Sequence, residues 1–503
     1  MSDWGIPRGV AGRLVVTGTL RLVTPTSLGN GDMEGLTDMP LSLDALEGRP
    51  LLTGTSIAGA LRNYLRTYEQ GFRKREQARK PEQKQKEQQS YETQLFGGTK
   101  GDDDGAQSPL IVDDALGEVQ RTEIRDGVKI DGTTRTAEAK KKYDLELLPA
   151  GTTFPLRFEL LLPADPQLAQ RQREALALAL SGLERGEIAI GARKTRGFGR
   201  CVVDSWEVCA YDLREPSELL AWLSEGYSWN IPSPRITSGD AVTALGIEPL
   251  SIEDKRRLFT VTATFRLDSP VLIRSDASLI SPEQLEALGD KEHEQQPDQI
   301  HLRSRRNGDE VAVVPGTSLA GVLRARAVRI LNTLNEARTT SIVNELFGVE
   351  TDDAGSRKSL RASRLIVEEA EIASGQPLVQ NRVAIDRFTG GAFETALFSE
   401  APHVGGTVEL RLAIQDPCDF EIGLLLLLLK DLWTGDLPLG GTSSIGRGRL
   451  RGMMASLKHY HGAAWMITEL ADGSLSVSGG EASELERFVD ALMKELNLNH
   501  GAC

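Results

Sequence analysis

The sequence predicts an α+β protein built from two tandem copies of one domain, each an antiparallel sheet with helices on one face. Three observations predict it. A set of motifs occurs twice in the same order, the copies about 250 residues apart. Stretches such as RLVVTGTLRLV and LFTVTATFRL alternate apolar and polar residues, as half-buried strands do. One amphipathic helix follows the words GTSxAGxLR in each half, an α+β arrangement rather than a doubly wound one.

In chain order, each half opens on an entry strand, VVTGTLRLVTP ending at Pro25 or VTATFRLDSP ending at Pro270. PLLTGTSIAGALRNYL, from Pro50 to Leu65, returns as VVPGTSLAGVLRARAV from Val313. LFGG at Leu95 matches LFGV at Leu346, and SPLIVDDA from Ser108 matches SRLIVEEA from Ser363. VKID, ending at Asp131, matches VAID, ending at Asp386, and IGARKTRGFGR, with Gly191, matches LGGTSSIGRGR, with Gly440. Each half closes on a strand and a helix, with Ser217 or Ser483 expected as the N-cap. The Pro-, Ser- and Gly-containing segment from Asn230 to Leu250 reads as a linker. The expected domains are therefore 1–228 and 256–503, joined by 229–255. FRKREQARKPEQKQKEQQ, from Phe72 to Gln89, nearly lacks apolar residues; the insertion at about 68–94 is expected to be exposed or disordered, with direct RNA contact a lesser alternative.

Composition narrows the function. A chain of 503 residues with 40% hydrophobic and 26% charged residues is that of a multi-domain globular protein. IGLLLLLL, from Ile422 to Leu429, is too short to span a membrane and reads as a buried helix; no secretory signal is visible. Cys201, Cys209, Cys418 and Cys503 show no CxxC spacing, so neither a disulfide nor structural zinc is expected, and a reducing cytoplasm is the expected compartment. His459 and His461 read as one face of a solvated strand. A net charge of -14 argues against a free-standing, non-specific nucleic-acid binder, yet leaves room for a locally basic groove.

Two motifs can carry chemistry. In GTSxAGxLR, Gly54, Thr55 and Ser56, and again Gly316, Thr317 and Ser318, stand where a strand enters a helix, with Arg62 and Arg324 further along it. Open N–H groups there suit a phosphate; the alternative is a capped helix packed tightly on its sheet. Gly59 and Gly321 read as places where something approaches the helix backbone closely. The glycine-rich loops carry Arg193, Lys194, Arg196 and Arg200 in one copy and Gly440, Gly441, Thr442, Arg447 and Arg449 in the other, a composition that fits a sugar-phosphate chain or a plain tight turn. Neither loop has P-loop spacing, and GNGDMEG at Gly29 is not a dinucleotide fingerprint.

Taken together, these residues resemble the RAMP superfamily, and more narrowly the backbone subunits that polymerise along the guide RNA of type III CRISPR effector complexes. The tandem arrangement is similar to the fused backbone subunit of type III-D variants. The resemblance implies two RRM-like, ferredoxin-like domains whose palms cradle guide RNA. It also implies β-hairpin thumbs, here Arg125 to Asp144 with Val128 and Ile130, and Asn381 to Phe398 with Val383 and Ile385, turning at Gly132 or at Gly390 and Gly391. It implies Mg2+ or another divalent cation and cleavage of complementary target RNA. Asp38 and Asp298 match the catalytic and metal-holding position, and Asp32 and Asp44 lie near enough to share it. Arg303, Arg305 and Arg306 beside Asp298 read as phosphate contacts or a solvated basic loop, and His301 as a possible general acid or base. The implied partners are the CRISPR guide RNA, complementary target RNA, other backbone subunits and a large polymerase-like signalling subunit, with no membrane. Two alternatives stand beside this reading: a non-catalytic scaffold of the same complex, and a precursor-RNA-processing ribonuclease.

Overall fold

The structure is a computed structural model describing residues 9–29, 39–72, 90–98, 107–118, 122–132, 134–225, 235–248, 252–276, 297–306, 308–349, 361–470 and 472–497. The first half contains β1 (Val10–Leu22), β2 (Leu51–Leu52), α1 (Gly54–Gln70), α2 (Tyr91–Phe96), β3 (Leu110–Val112), β4 (Ala115–Leu116), β5 (Glu123–Ile130), β6 (Ala137–Leu147), β7 (Thr153–Pro163), α3 (Pro166–Glu184), β8 (Cys201–Asp212), α4 (Pro216–Ser224), β9 (Arg235–Ser238) and α5 (Ala241–Ala244). The second contains β10 (Leu258–Leu267), β11 (Arg274–Asp276), β12 (Gln299–His301), β13 (Arg303–Arg306), β14 (Asp309–Val314), α6 (Gly316–Phe347), β15 (Leu365–Val367), β16 (Ala370–Ala373), β17 (Gln376–Pro377), β18 (Gln380–Ile385), β19 (Ala392–Ala401), β20 (His403–Val404), β21 (Thr407–Gln415), α7 (Asp419–Trp433), β22 (Leu450–His459), β23 (Ala464–Glu469), β24 (Leu475–Ser478) and α8 (Ala482–Asn497).

The duplication is visible in the pairing. The first sheet runs β3-β7-β1-β8-β9, and the second contains the corresponding β15-β21-β10-β22, extended by β13, β14 and β16 at one side and by β23 and β24 at the other. All four central strands of each copy pair antiparallel. Alternation puts Leu14, Val16, Leu20 and Leu22 of β1 into the first core, and Phe259, Val261, Ala263 and Phe265 of β10 into the second. The apolar stretches of α3 and α7 cover those faces, each fully buried Leu or Phe contributing about 1.5–3 kcal/mol. The start of α3 is fixed by Asp165, which accepts from Gln167 N at 2.9 Å, with Pro166 at the first helical position. The leucine stretch from Ile422 is the buried helix α7, as its composition predicts.

Four expectations are corrected. The helix after β8 begins at Pro216 with Glu215 at the N-cap, and Ser483 lies inside the first turn of α8, so neither serine caps. The expected linker 229–255 is partly built into the first domain: β9 extends its sheet, and Ala241, Ala244, Leu245 and Ile247 enter its core. Likewise 68–70 complete α1 and 91–94 belong to α2, while 73–89 lie outside the described residues. Cys418, just before α7, is disulfide-bonded, whereas Cys201 and Cys209 are free.

Among the described residues, three connections hold the halves together. Arg256 lies over the rings of Tyr64 and Tyr68, 4.9 and 5.0 Å from their centroids, and pairs with Glu187 at 2.9 Å. The first glycine loop docks where the two ends of α6 come together: a Cβ on Gly316 would overlap Arg196 O, Arg196 donates to Phe347 O at 3.0 Å and Ser363 Oγ at 3.3 Å, and Arg200 pairs with Glu368. Finally, Glu369 is 1% exposed between Arg125 of β5 and Arg306 of β13, while Glu123 accepts from Arg305 N at 2.7 Å.

Candidate nucleic-acid interface

Each glycine loop has the same backbone. Arg193 (φ 55, ψ 32) and Thr442 (φ 57, ψ 32) are both left-handed, a 3-10 turn follows, and Gly197 and Gly446 both take φ 86. Non-glycine residues seldom occupy that region, so finding it in both copies marks an inherited conformation rather than an accident of either sequence. The loops pack under the ends of the entry strands, Ala192 N donating to Ser27 O at 2.9 Å and Gly441 N to Leu272 O at 2.8 Å. At Gly199 and Gly448, both with φ 80, a Cβ would overlap Ile190 O and Leu439 O.

Both segments proposed as hairpins are hairpins. β5 pairs with β6 and β18 with β19, and each ladder breaks register at the same place, between Val128 and Ile130 and between Val383 and Ile385. These four apolar side chains stay exposed, Ile385 at 64%, and Phe388 at the second tip is 89% exposed. Displayed apolar residues on a two-stranded ribbon are surfaces for contact, since they have no core to join.

The residues that follow the acidic positions pair with these hairpins at their bases. Met39 pairs in parallel with Leu145, and Gln299 pairs in parallel with Glu400, the corresponding position of the second hairpin. Asp298 therefore precedes its pairing residue as Asp38 precedes Met39, which supports the sequence match between them. Asp38 and Asp32 lie outside the described residues. Asp298 is exposed, with Oδ2 accepting from Ser399 N at 2.8 Å. Asp44 closes a local turn, Oδ1 accepting from Leu46 N and Glu47 N at 3.0 and 2.7 Å. Among the described residues no group of three or more His, Cys, Asp or Glu could hold a metal. Mg2+ commonly takes one or two carboxylates and completes its shell with substrate phosphates and water, so the Asp298 carboxylate fits such an ion with RNA phosphate present.

Most of the arginines expected on RNA are engaged by protein. Arg62 pairs with buried Glu92 and donates to Gly97 O at 3.2 Å; its counterpart Arg324 donates to Gly348 O at 2.8 Å and Asn344 Oδ1 at 3.1 Å. Arg62 thus holds the C-cap of α2, and Arg324 that of α6. Arg196 lies in the domain contact, where burial, then the charges of Arg324 and Arg193, bring it down to about 10. Arg200 pairs with Glu368, and Arg447 is buried on Glu400 and Gln380. Arg193 lies 4.4 Å over the Tyr143 ring. Lys194 and Arg449 remain exposed.

The helix starts are junctions rather than phosphate cradles. α1 begins at Gly54 after Thr53, whose Oγ1 accepts from Ser56 N, and α6 begins at Gly316 after Pro315, so the Thr and Ser of each motif lie in the first turn rather than at the cap. Gly54 N already donates to Asp114 Oδ1 at 2.6 Å, and a Cβ on Gly316 would overlap Arg196 O and Val367 O. Gly59 and Gly321 have nothing within 4 Å of a built Cβ, against the close approach expected there.

His301 is a core residue. Nδ1 accepts from Ile273 N at 3.1 Å, which fixes the proton on Nε2, 3.1 Å from Val313 O. Burial, then neighbouring His403, pushes its pKa down to about 3, and no general acid or base results. A histidine neutral when folded and ordinary when unfolded binds fewer protons in the folded state, so its stabilisation is complete above about 6.5 and falls away as pH drops toward 3. At pH 5 the expected loss is about 2 kcal/mol. Denaturation of wild type and His301→Gln at both pH values should show a flatter pH dependence in the variant.

An exposed hairpin and a glycine loop of the same backbone recur in both halves of the chain. A RAMP superfamily model matches residues 19–202 and again 264–451, and the chain belongs to that superfamily, whose members are in general CRISPR-associated RNA-binding proteins. A comparison with curated proteins finds no match. No described helix is long and apolar enough to cross a membrane.

Sequence reasoning missed Glu369 and Arg125, although an acidic pair follows LIV in both copies, as Asp113-Asp114 and Glu368-Glu369, and it misread Arg306, which is neither a phosphate contact nor part of a solvated loop but buried against Glu369 and Glu371. Tyr143 beneath Arg193 carried no signal, because only the hairpin's return brings them together.

Proposed function

We propose that the chain is a guide-RNA-binding backbone subunit of a type III CRISPR effector complex, tandem in the manner of type III-D variants, that positions and cleaves complementary target RNA. Its two RRM-like palms take successive segments of one guide. The observation that supports this reading is Asp298 set against the return strand of an exposed apolar hairpin, with Asp38 at the matching place in the sequence, next to Met39, which bridges to the first hairpin. Base pairing supplies sequence specificity, so the protein needs only shape and backbone contacts, and the exposed Lys194 and Arg449 belong to that set. The exposed hairpin residues wedge against the guide–target duplex, and Asp38 and Asp298 orient the attacking 2′-hydroxyl or hold a divalent cation, whose contribution when bound is Lewis-acid polarisation of the scissile phosphate. Guide RNA, target RNA, neighbouring backbone subunits and a large signalling subunit are the proposed partners, and the cytoplasm the proposed compartment.

The test is cleavage of guide-complementary RNA by the assembled complex with Mg2+, comparing wild type with Asp38→Ala and Asp298→Ala. Each substitution should remove one product at least about 100-fold while RNA retention is unchanged. An unchanged product ladder in both would make the chain a scaffold.

A further inference from the structure

We propose that the first domain carries an acceptor face for an arginine-bearing glycine loop from a different chain, and that a second copy of this chain does not supply it. This deepens the assembly role proposed above and rests on it for the existence of such a neighbour; the geometry itself comes from the contact between the halves.

That contact shows what the face binds. On the second domain, Arg196 occupies Ser363 Oγ and the carbonyls of Phe347 and Leu365, Arg200 pairs with Glu368, and Arg125 pairs with Glu369. The first domain presents the same acceptors at Ser108, Phe96, Leu110, Asp113 and Asp114. Their internal bonds agree as well: Ser108 Oγ donates to Leu95 O at 3.1 Å and Leu110 O at 2.9 Å, as Ser363 Oγ does to Leu346 O at 3.2 Å and Leu365 O at 2.8 Å.

What differs is the cover. The Glu369 side chain is buried where Asp114 is exposed, Ser363 is buried where Ser108 is half-buried, and Thr317 is half-buried where Thr55 is exposed. Among the described residues, no loop lies on the first domain as the first glycine loop lies on the second. Asp114 is held toward the start of α1 by Gly54 N, and Asp113 pairs with Arg157 at 3.2 Å, so the face is organised and acidic.

The occupant follows from charge. The surface that docks inside the chain brings three arginines, Arg125 from β5 and Arg196 and Arg200 from the glycine loop. In the second domain the same positions are Gln380, Ile445 and Arg449, and Gln380 is already bonded to Arg447. A second copy would offer one arginine of three to two carboxylates and two carbonyls, which disfavours self-docking and favours a partner retaining the arginines.

The chain itself can test this, without RNA or the partner. Both loops share their dihedral angles, so Thr442→Arg/Ser443→Lys/Ser444→Thr/Ile445→Arg transplants the first loop without a new backbone; Ile445→Arg, at an exposed site, is the milder second variant. By sedimentation velocity on the purified full chain, wild type should remain monomeric, the transplant should self-associate at least about tenfold more tightly, and adding Asp114→Arg should return it to monomer. Wild type forming chains as readily as the transplant would overturn the proposal. So would both variants staying monomeric while folded. If the face takes guide RNA instead, Asp114→Arg tightens retention of a guide-length RNA and neither variant associates, which also overturns it. Loss of RNA binding by the wild-type chain would sink the functional reading and leave this one standing.

Discussion

Glu369→Ala should lower stability by about 3–5 kcal/mol, because it removes the shared carboxylate from two buried arginines rather than one ion pair from a surface. Arg125 and Arg306 both donate to Glu369, and neither has room for water in its place, each being under a tenth exposed. Burial works to raise the Glu369 pKa, but the charges and hydrogen bonds of the two arginines outweigh it and hold it below the ordinary carboxylate value. A depressed carboxylate stabilises fully above its unfolded pKa and loses that contribution as pH falls through the folded one. Glu369→Gln keeps hydrogen-bonding capacity while losing charge, so it should fall between wild type and alanine. Chemical denaturation with separate probes for the halves checks this: the alanine variant should unfold in two steps. A single transition in the alanine variant as in wild type, or two transitions already in wild type, would mean that the cluster does not couple them.

Gly316→Ala should cost about 3 kcal/mol and should open the same contact from its other side. The added Cβ would overlap the Arg196 and Val367 carbonyls, and backbone atoms cannot rotate out of the way as a side chain could. One of the displaced groups belongs to each domain, so the strain falls on the docking as well as on α6. Gly321→Ala, in the same helix with nothing near its Cβ, is the control and should gain about 1 kcal/mol of helix propensity. Thermal melting of the two variants side by side would separate them; equal behaviour would remove the close-approach explanation.

What the sequence made legible follows the range of the physics. Local alternation and motif order revealed the duplicated sheets, α7, both hairpins and the glycine loops, because short-range patterns determine those elements. Contacts between halves were hidden, because Arg196 reads the same in sequence whether it meets a phosphate or the Phe347 carbonyl. The helix starts were misread for a related reason: a bare glycine announces that something comes close, and at Gly54 and Gly316 it is the protein's own backbone. Asp298 was legible only through the family resemblance, and its pairing with Ser399 could not be anticipated.

The buried anchoring of the two hairpins is unequal. The first is tied through Arg125 to the neighbouring domain, whereas the second is tied through Gln380, Arg447 and Glu400 within its own. The first hairpin is thus a lever whose fulcrum lies in the other half of the molecule: pushing it loads the joint, and loosening the joint frees it. Amide exchange should register this as protection at the base of β5 and β6 that disappears when Glu369 is replaced, while the base of β18 and β19 keeps its protection.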